Sequence, residues 1–197
     1  MPGYAYGIPA VECRIGSILR AKPGSVCHKC YALKGMYVFP VVRKAQYNRL
    51  QILNKSMVLW EARMISLLRA KYARKIGDDR VFRWHDSGDL QSPKHLASIV
   101  RIAKALPDIR FWLPTRERAM VTDYLAAEPK GFPANLVVRI SAAMVGQATG
   151  PLPKGTVGST VGAGIGYSCP AKGQGNECLD CRACWKKSTK NVDYSLH

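Results

Sequence analysis

Acidic residues are scarce in this sequence. Against 30 Lys and Arg there are 13 Asp and Glu, a net charge of +17 with histidine neutral. Such an excess raises the local concentration of polyanions without specifying a fold, so the partners it suggests are nucleic acid, an acidic protein or a phosphate-bearing substrate. Long apolar runs are missing as well. No segment approaches the roughly 20 residues that a membrane span requires, so no membrane partner is expected. The opening stretch, Met1-Pro-Gly-Tyr-Ala-Tyr-Gly-Ile8, has neither the basic stretch nor the apolar run of a secretory leader, and a cytoplasmic location is the expectation. Neither a Gly-x-Ser-x-Gly elbow nor a zinc-protease motif occurs, which sets those hydrolase classes aside. No internal repeat or low-complexity tract stands out.

What the chain does have is cysteine, seven in all. In a reducing compartment, an odd number of thiols at short spacings reads as metal binding rather than disulfide formation. Cys178, Cys181 and Cys184 follow one another at three-residue steps with Cys169 nearby. One tight loop can then wrap three corners of a cubane while the fourth thiolate completes a four-cysteine iron–sulfur site. Four thiolates also make a closed zinc site, so zinc is the alternative here. The N-terminal group is Cys13, Cys27 and Cys30. Three thiolates leave one iron of a 4Fe-4S cluster without a protein ligand, and an open metal position is what permits chemistry. The expectation is therefore one or two 4Fe-4S clusters. Read as a redox pair, Cys27 and Cys30 would leave five thiols unexplained.

A length of 197 residues suits one domain with a small appendage. Residues 1–40 read as a Gly- and Pro-punctuated cluster-binding loop. Residues 41–76 read as helix, with a break near Asn54. Leu50, Leu53, Met57, Trp60, Met64, Leu67 and Leu68 recur along it at spacings of three and four and form its core stripe. Its opposite face is a ridge of Arg and Lys with one acid, Glu61. From residue 78 to 145 short β-rich runs alternate with helical patterns, the layout of parallel βα units: strands at 81–85, 109–113 and 136–140, and helices at 92–106 and 117–127. Ser92 is placed to cap the first of these helices and Pro93 to occupy its first turn. Residues 146–166 are a Gly-rich connector with a short strand near 156–161. Gly162, Gly164 and Gly166 lack the setting of a phosphate-cradling loop.

The expected fold is thus α/β: a partial, truncated parallel βα barrel or an open parallel sheet of four to six strands, with a Cys-rich C-terminal loop module. Residues 1–145 form the cluster-binding core, and 146–197 the connector and four-cysteine module, packed as one compact unit. In such sheets the loops leaving the carboxyl ends of the strands converge on one face. Here those loops carry His85, Asp86, Ser87, Gly88 and Asp89, then Arg116, then Ser141.

Several of these stretches together resemble the bacteriophage "gene product eighty-eight" family: Cys27-x2-Cys30-Tyr31-Ala32, Phe82 through Leu90, Trp112 through Glu117, and Cys178-x2-Cys181-x2-Cys184-Trp185. That family in turn resembles truncated radical S-adenosylmethionine barrels. The resemblance implies S-adenosylmethionine on the open iron, with Ser87, Gly88, Asp89 and Leu90 in the place of a loop that holds its amino group and Asp89 as the acidic partner. It also places the protein in the host cytoplasm.

Two functions follow. One is an enzyme whose open cluster is assisted by His85, Asp86, Asp89 and Arg116, with Ser87, Gly88, Asp89 and Ser141 binding the cofactor. The other is a non-catalytic basic module, holding iron–sulfur or zinc, that attaches to nucleic acid or an acidic host protein. In that case Tyr47, Tyr72 and Trp185 are the aromatics available for base stacking.

Overall fold

Short runs of β-branched and aromatic residues, buried on both faces, build the sheet. The computed structural model describes residues 1–196. Its strands are β1 (Tyr4–Tyr6), β2 (Val81–Trp84), β3 (Arg110–Thr115), β4 (Leu136–Ser141), β5 (Val157–Val161), β6 (Tyr167–Ser168) and β7 (Asn191–Tyr194). All pairings are parallel, in the order β1-β2-β3-β4-β5-β7-β6. The sheet is open and has seven strands rather than four to six. β1, β6 and β7 are only 3, 2 and 4 residues long, too short for alternation to announce them.

The helices are α1 (Arg14–Arg20), α2 (Pro40–Lys55), α3 (Met57–Tyr72), α4 (Pro93–Ala105) and α5 (Arg118–Ala127). From β1 to β5 each connection steps one strand in the same direction, which puts the crossover helices on one face of the sheet. On that face Phe82, Trp84, Phe111, Leu113, Leu136, Val138 and Ile140 join the inward stripes of α2, α3 and α4 in one core. Trp84 is fully buried, and a tryptophan covering 150–250 Å² supplies about 4–6 kcal/mol of gross hydrophobic stabilisation. The stripe foreseen on α2 and α3 is in the core except for Leu67, which is half exposed.

The long helical region breaks at Ser56, two residues past Asn54. Ser56 takes an extended conformation (φ −158°), and its hydroxyl accepts the Leu59 amide at 3.3 Å, so it ends α2 and caps α3. Ser92 caps α4 in the same way through the His95 amide, with Pro93 behind it. Ser56→Ala should lower stability by about 1 kcal/mol, the usual cost of a lost N-cap, as measured by urea unfolding. No change in the transition midpoint would show that packing alone fixes the break.

Candidate functional site

The chain leaving β1 does not cross directly to a helix of the sheet layer. Residues 7–39 instead lie over the carboxyl ends of the neighbouring strands. Ile8 N donates to Ser87 O at 3.0 Å, beyond β2. Ile15 N donates to the Glu117 carboxylate at 3.0 Å, beyond β3. Val26 N donates to Ala143 O at 2.9 Å, beyond β4. This excursion brings Cys13, Cys27 and Cys30 together above the strand ends. The three thiols act on one another electrostatically, and Cys13 and Cys27 also feel Asp89 and Arg116. Gly16 of α1 makes the approach feasible. A Cβ there would sit 2.9 Å from Cys13 Cβ, 3.5 Å from Cys13 Sγ and 3.6 Å from Cys27 Sγ. Any other residue at 16 would push into the space the two sulfurs share.

Of the strand-end residues, some turn toward these thiols and others do not. The Asp89 carboxylate is buried and accepts from Leu90 N, Thr115 Oγ1 and Arg116 N at 2.6–2.8 Å. Burial pushes its pKa up, against those three hydrogen bonds. Arg116 sits beside Cys13 and Cys27, and its Nε is buried with no partner. Ser87 is buried with an unpartnered hydroxyl. Gly88 has φ +82°, and a Cβ there would meet Ile8 Cγ1 at 2.3 Å, so only glycine lets the β1 tail pass over this turn. Asp86 accepts from Tyr31 Oη through its carbonyl at 2.5 Å and from Tyr37 Oη through its carboxylate. Ser141 pairs with Ser159 Oγ at 3.2 Å.

His85 is placed elsewhere. At φ +55° its ring stands 5.3 Å from His95 of α4, which in turn packs edge-on against Trp60 of α3. Both imidazoles therefore belong to the helix-side core. Burial lowers the His95 pKa to about 3, and burial together with the His95 and Arg83 charges holds His85 well below its ordinary value. His28 is exposed, with Nδ1 3.0 Å from Arg20 O. Tyr72 and Trp185, expected as stacking platforms, are instead 2% and 4% exposed. Tyr72 donates to Val81 O and Trp185 Nε1 donates to Phe82 O, so their polar tips serve the fold.

The other face of the sheet has no helices over it, and the C-terminal cysteine segment fills that role. A short 3-10 turn, Ala183–Trp185, packs on β3 and β4, and Val81, Trp112, Trp185, Cys184 and Tyr194 form a second apolar cluster there. Arg139 of β4 lies fully buried beneath the turn. Its guanidinium donates to the carbonyls of Gly158, Ala183, Cys184 and Lys186 at 2.8–3.0 Å and clamps the cysteine segment to the sheet. Cys169, Cys178, Cys181 and Cys184 interact electrostatically within this segment. Tyr167 Oη lies 3.4 Å from Cys181 Sγ, and Tyr194 Oη lies 3.2 Å from Cys184 Sγ. Leu179 and Asn176 adopt left-handed backbone (φ 41° and 66°) where the loop wraps.

A line of contacts joins the two thiol groups across this face. Tyr194 stacks with Trp112, Arg83 sits 4.6 Å over the Trp112 ring, and Arg83 donates at 3.0 Å to Tyr31, the neighbour of Cys30. The Gly162–Gly166 turn holds no free anion cradle. Its amides at Ala163 and Gly164 already donate to the Asp193 carboxylate. The groove between β1 and α2–α3, about 330 Å³, lies on the helix side, away from all seven thiols.

Burial pushes the Cys13 thiol up to about 12 and Cys184 to about 11, and raises Cys27 and Cys169 as well. A catalytic or redox-active thiol needs a lowered pKa, so these are not poised as nucleophiles. The site offers three thiols, Cys27 buried and Cys13 and Cys30 partly so, with an adjacent guanidinium. The donor set suits a thiolate-bound metal group, and the Gly16 cradle gives it room. Among the described residues, no group of three or more His, Cys, Asp or Glu has the geometry of a single bound ion. A tetrahedral zinc holds its sulfurs about 3.8 Å apart, whereas a cubane spreads them wider. Glu117 stood beside Arg116 in a strand-end loop but without a role, and neither Gly16 nor Arg139 was given one from the sequence. Only Arg139 carried a signal, a charge at an alternate position within an otherwise apolar strand.

The fold and site define an open parallel α/β protein with a thiol cluster at the carboxyl ends of its strands and a second on its helix-free face. A family model described as Gene product 88 matches residues 1–187, and the chain belongs to that family. Neither a curated protein nor a solved structure matches it. Among the described residues, no helix is long and apolar enough to cross a membrane.

Replacing Arg139 with Met would remove one donor from each of four carbonyls, of which Ala183 and Lys186 keep the backbone amides of Lys186 and Thr189. A buried acceptor left without a partner costs about 1–3 kcal/mol, so stability should fall by at least that much, and Cys184 should become reactive to a thiol reagent in the native state. Unchanged stability would show that the clamp is dispensable. The histidine pair predicts a pH dependence. Both rings are neutral when folded, whereas the unfolded state binds protons below about pH 6.5, so stability is full above that value and falls as the pH drops toward 3. By pH 4.5 His95 removes roughly 2–3 kcal/mol, and His85 acts in the same direction. In urea unfolding at pH 7.0 and 4.5, His95→Gln should lose its share of that difference.

Proposed function

We propose that the protein is an iron–sulfur protein in which Cys13, Cys27 and Cys30 hold a 4Fe-4S cluster with one iron open to a ligand. Cys169, Cys178, Cys181 and Cys184 hold a second, closed centre, either a further cluster or zinc. The observation that carries the reading is the gathering of three thiols, Cys27 buried and Cys13 and Cys30 partly so, with Gly16 against Cys13 and Cys27 and Arg116 beside them, at the end of the sheet where sites of parallel α/β folds are built. Cys13 and Cys27, whose pKa values burial raises, gain most from a metal, since binding replaces their protons and offsets the cost of burying thiolate charge.

The chemistry such a cluster supplies is one-electron transfer to the group on its open iron. The chain's own residues bind and orient that group. S-adenosylmethionine is what the resemblance to radical enzymes implies. The Arg116 guanidinium is the group available to an anionic carboxylate, and the unpartnered Ser87 hydroxyl is a second polar contact. Asp89 has both oxygens engaged by Leu90, Thr115 and Arg116, so it positions Arg116 and the start of α5 rather than facing the ligand. The turn at Gly88 and the tail of β1 exclude water from below.

Protein purified without oxygen should be brown. It should contain about eight irons with matching sulfide, or about four irons and one zinc, and give an electron paramagnetic resonance signal on reduction. Cys13→Ala should remove one centre and Cys181→Ala only the other. Colourless protein carrying zinc alone, or no metal, would overturn the proposal.

A further inference from the structure

From Cys13 through Trp60 every charged side chain is a cation, nine in all, with no Asp or Glu. The first part of this stretch lies over the strand ends, and α2 rises from the same edge. Arg14, Lys22, Lys29, Lys34, Arg43 and Lys44 are all exposed. The acids closest to this face are engaged: Glu117 takes the Ile15 amide, Asp89 is buried under three donors, Asp86 accepts from Tyr37, and Glu12 accepts from Tyr47. Among the cations stand Phe39, 56% exposed, and Tyr31, 40% exposed, with Met36 and Val41 beside them.

We infer that this cation-rich face binds single-stranded nucleic acid and presents it to the thiol site. Cations spaced over α1, two loops and the start of α2 match a repeating phosphate chain, and exposed aromatic rings among them offer faces on which bases stack. A single strand rather than a duplex follows from depth. Cys27 is 7% exposed, so only an unpaired base, free to leave its stack, can approach the thiol site. The binding surface stands on charge and exposure, whereas its role in delivering a substrate rests on the cluster reading above.

The test is fluorescence anisotropy with the full-length, anaerobically purified protein and labelled 20-mer oligothymidylate. A 20-base-pair duplex is the comparison and poly-L-glutamate the competitor. Single-strand binding should weaken steeply between 50 and 300 mM salt, with a log–log slope of about −0.7 per phosphate contacted. Reversing Lys29, Lys34, Arg43 and Lys44 to Glu should cost about 30-fold or more in affinity. Reversing Lys104 and Lys130, at the opposite end of the sheet, should cost under about 3-fold. Phe39→Ala, which removes no charge, should cost about 5-fold or more. Circular dichroism verifies that each variant is folded. Absence of binding at 50 mM salt, equal losses in the two reversal sets, or poly-L-glutamate competing as well as unlabelled oligothymidylate would overturn the inference, the last outcome pointing to an acidic polypeptide. Metal analysis of the same samples separates the two proposals. Metal-free protein that still binds DNA would remove the cluster alone, and a loaded protein that does not bind would remove the surface alone.

Discussion

Everything on the helix-free face depends on one buried guanidinium. Because the crossovers from β1 to β5 all step the same way, the helices collect on one side of the sheet and leave the other to be covered by something else. The cover is a short cysteine-bearing segment with little apolar content beyond Trp185 and Ala183, too small to hold by hydrophobic contact alone. Arg139 compensates by collecting four carbonyls, three of them from that segment. No carboxylate neutralises it, and burial lowers its pKa. The nearby Cys184 and Tyr194 groups oppose that shift, so thiolate character at Cys184 and charge on Arg139 favour each other.

The same geometry fixes the other thiol group. An open sheet has exposed strand ends, and the excursion after β1 covers them through backbone bonds to Ser87 and Ala143 and through the Glu117 carboxylate. Those anchors come from three different strand-end loops. The positions of Cys13, Cys27 and Cys30 therefore depend on the whole sheet, whereas Cys178, Cys181 and Cys184 are close neighbours in sequence. A metal at the first group would report on tertiary structure, and one at the second largely on a local loop pinned by Arg139.

Where periodicity was long enough to be unambiguous, the sequence was readable. The α2–α3 stripe, the Ser92–Pro93 start of α4 and the strands at 81, 110 and 136 lie within one or two residues of expectation. The strands that escaped, β1, β6 and β7, are defined by their partners, since two to four residues carry no pattern of their own. The site was legible in its residue types and less so in their directions. His85 shares a turn with Asp86, Ser87 and Asp89, yet its left-handed backbone sends the ring into the helix layer. Tyr72 and Trp185 read as available aromatics because nothing local shows that Val81 and Phe82 carbonyls lie within their reach. Gly16 gave no signal, since its role is to leave space between two sulfurs brought together by tertiary contacts.

The basic composition and the thiols are two aspects of one electrostatic arrangement. Three thiolates gathered in a partly buried site repel one another, and Asp89 adds to that repulsion, as the upward shift at Cys13 registers. Cations must offset the charge if thiolates are to form there. Arg116 acts directly on both Cys13 and Cys27, and Arg20 on Cys27. An acid in the surrounding stretch would oppose them, and residues 13–60 contain none. A stretch without acids favours thiolates and at the same time attracts phosphate, so the demand of the proposed cluster and the inferred affinity of the face for a polyanion would follow from the same placement of charge.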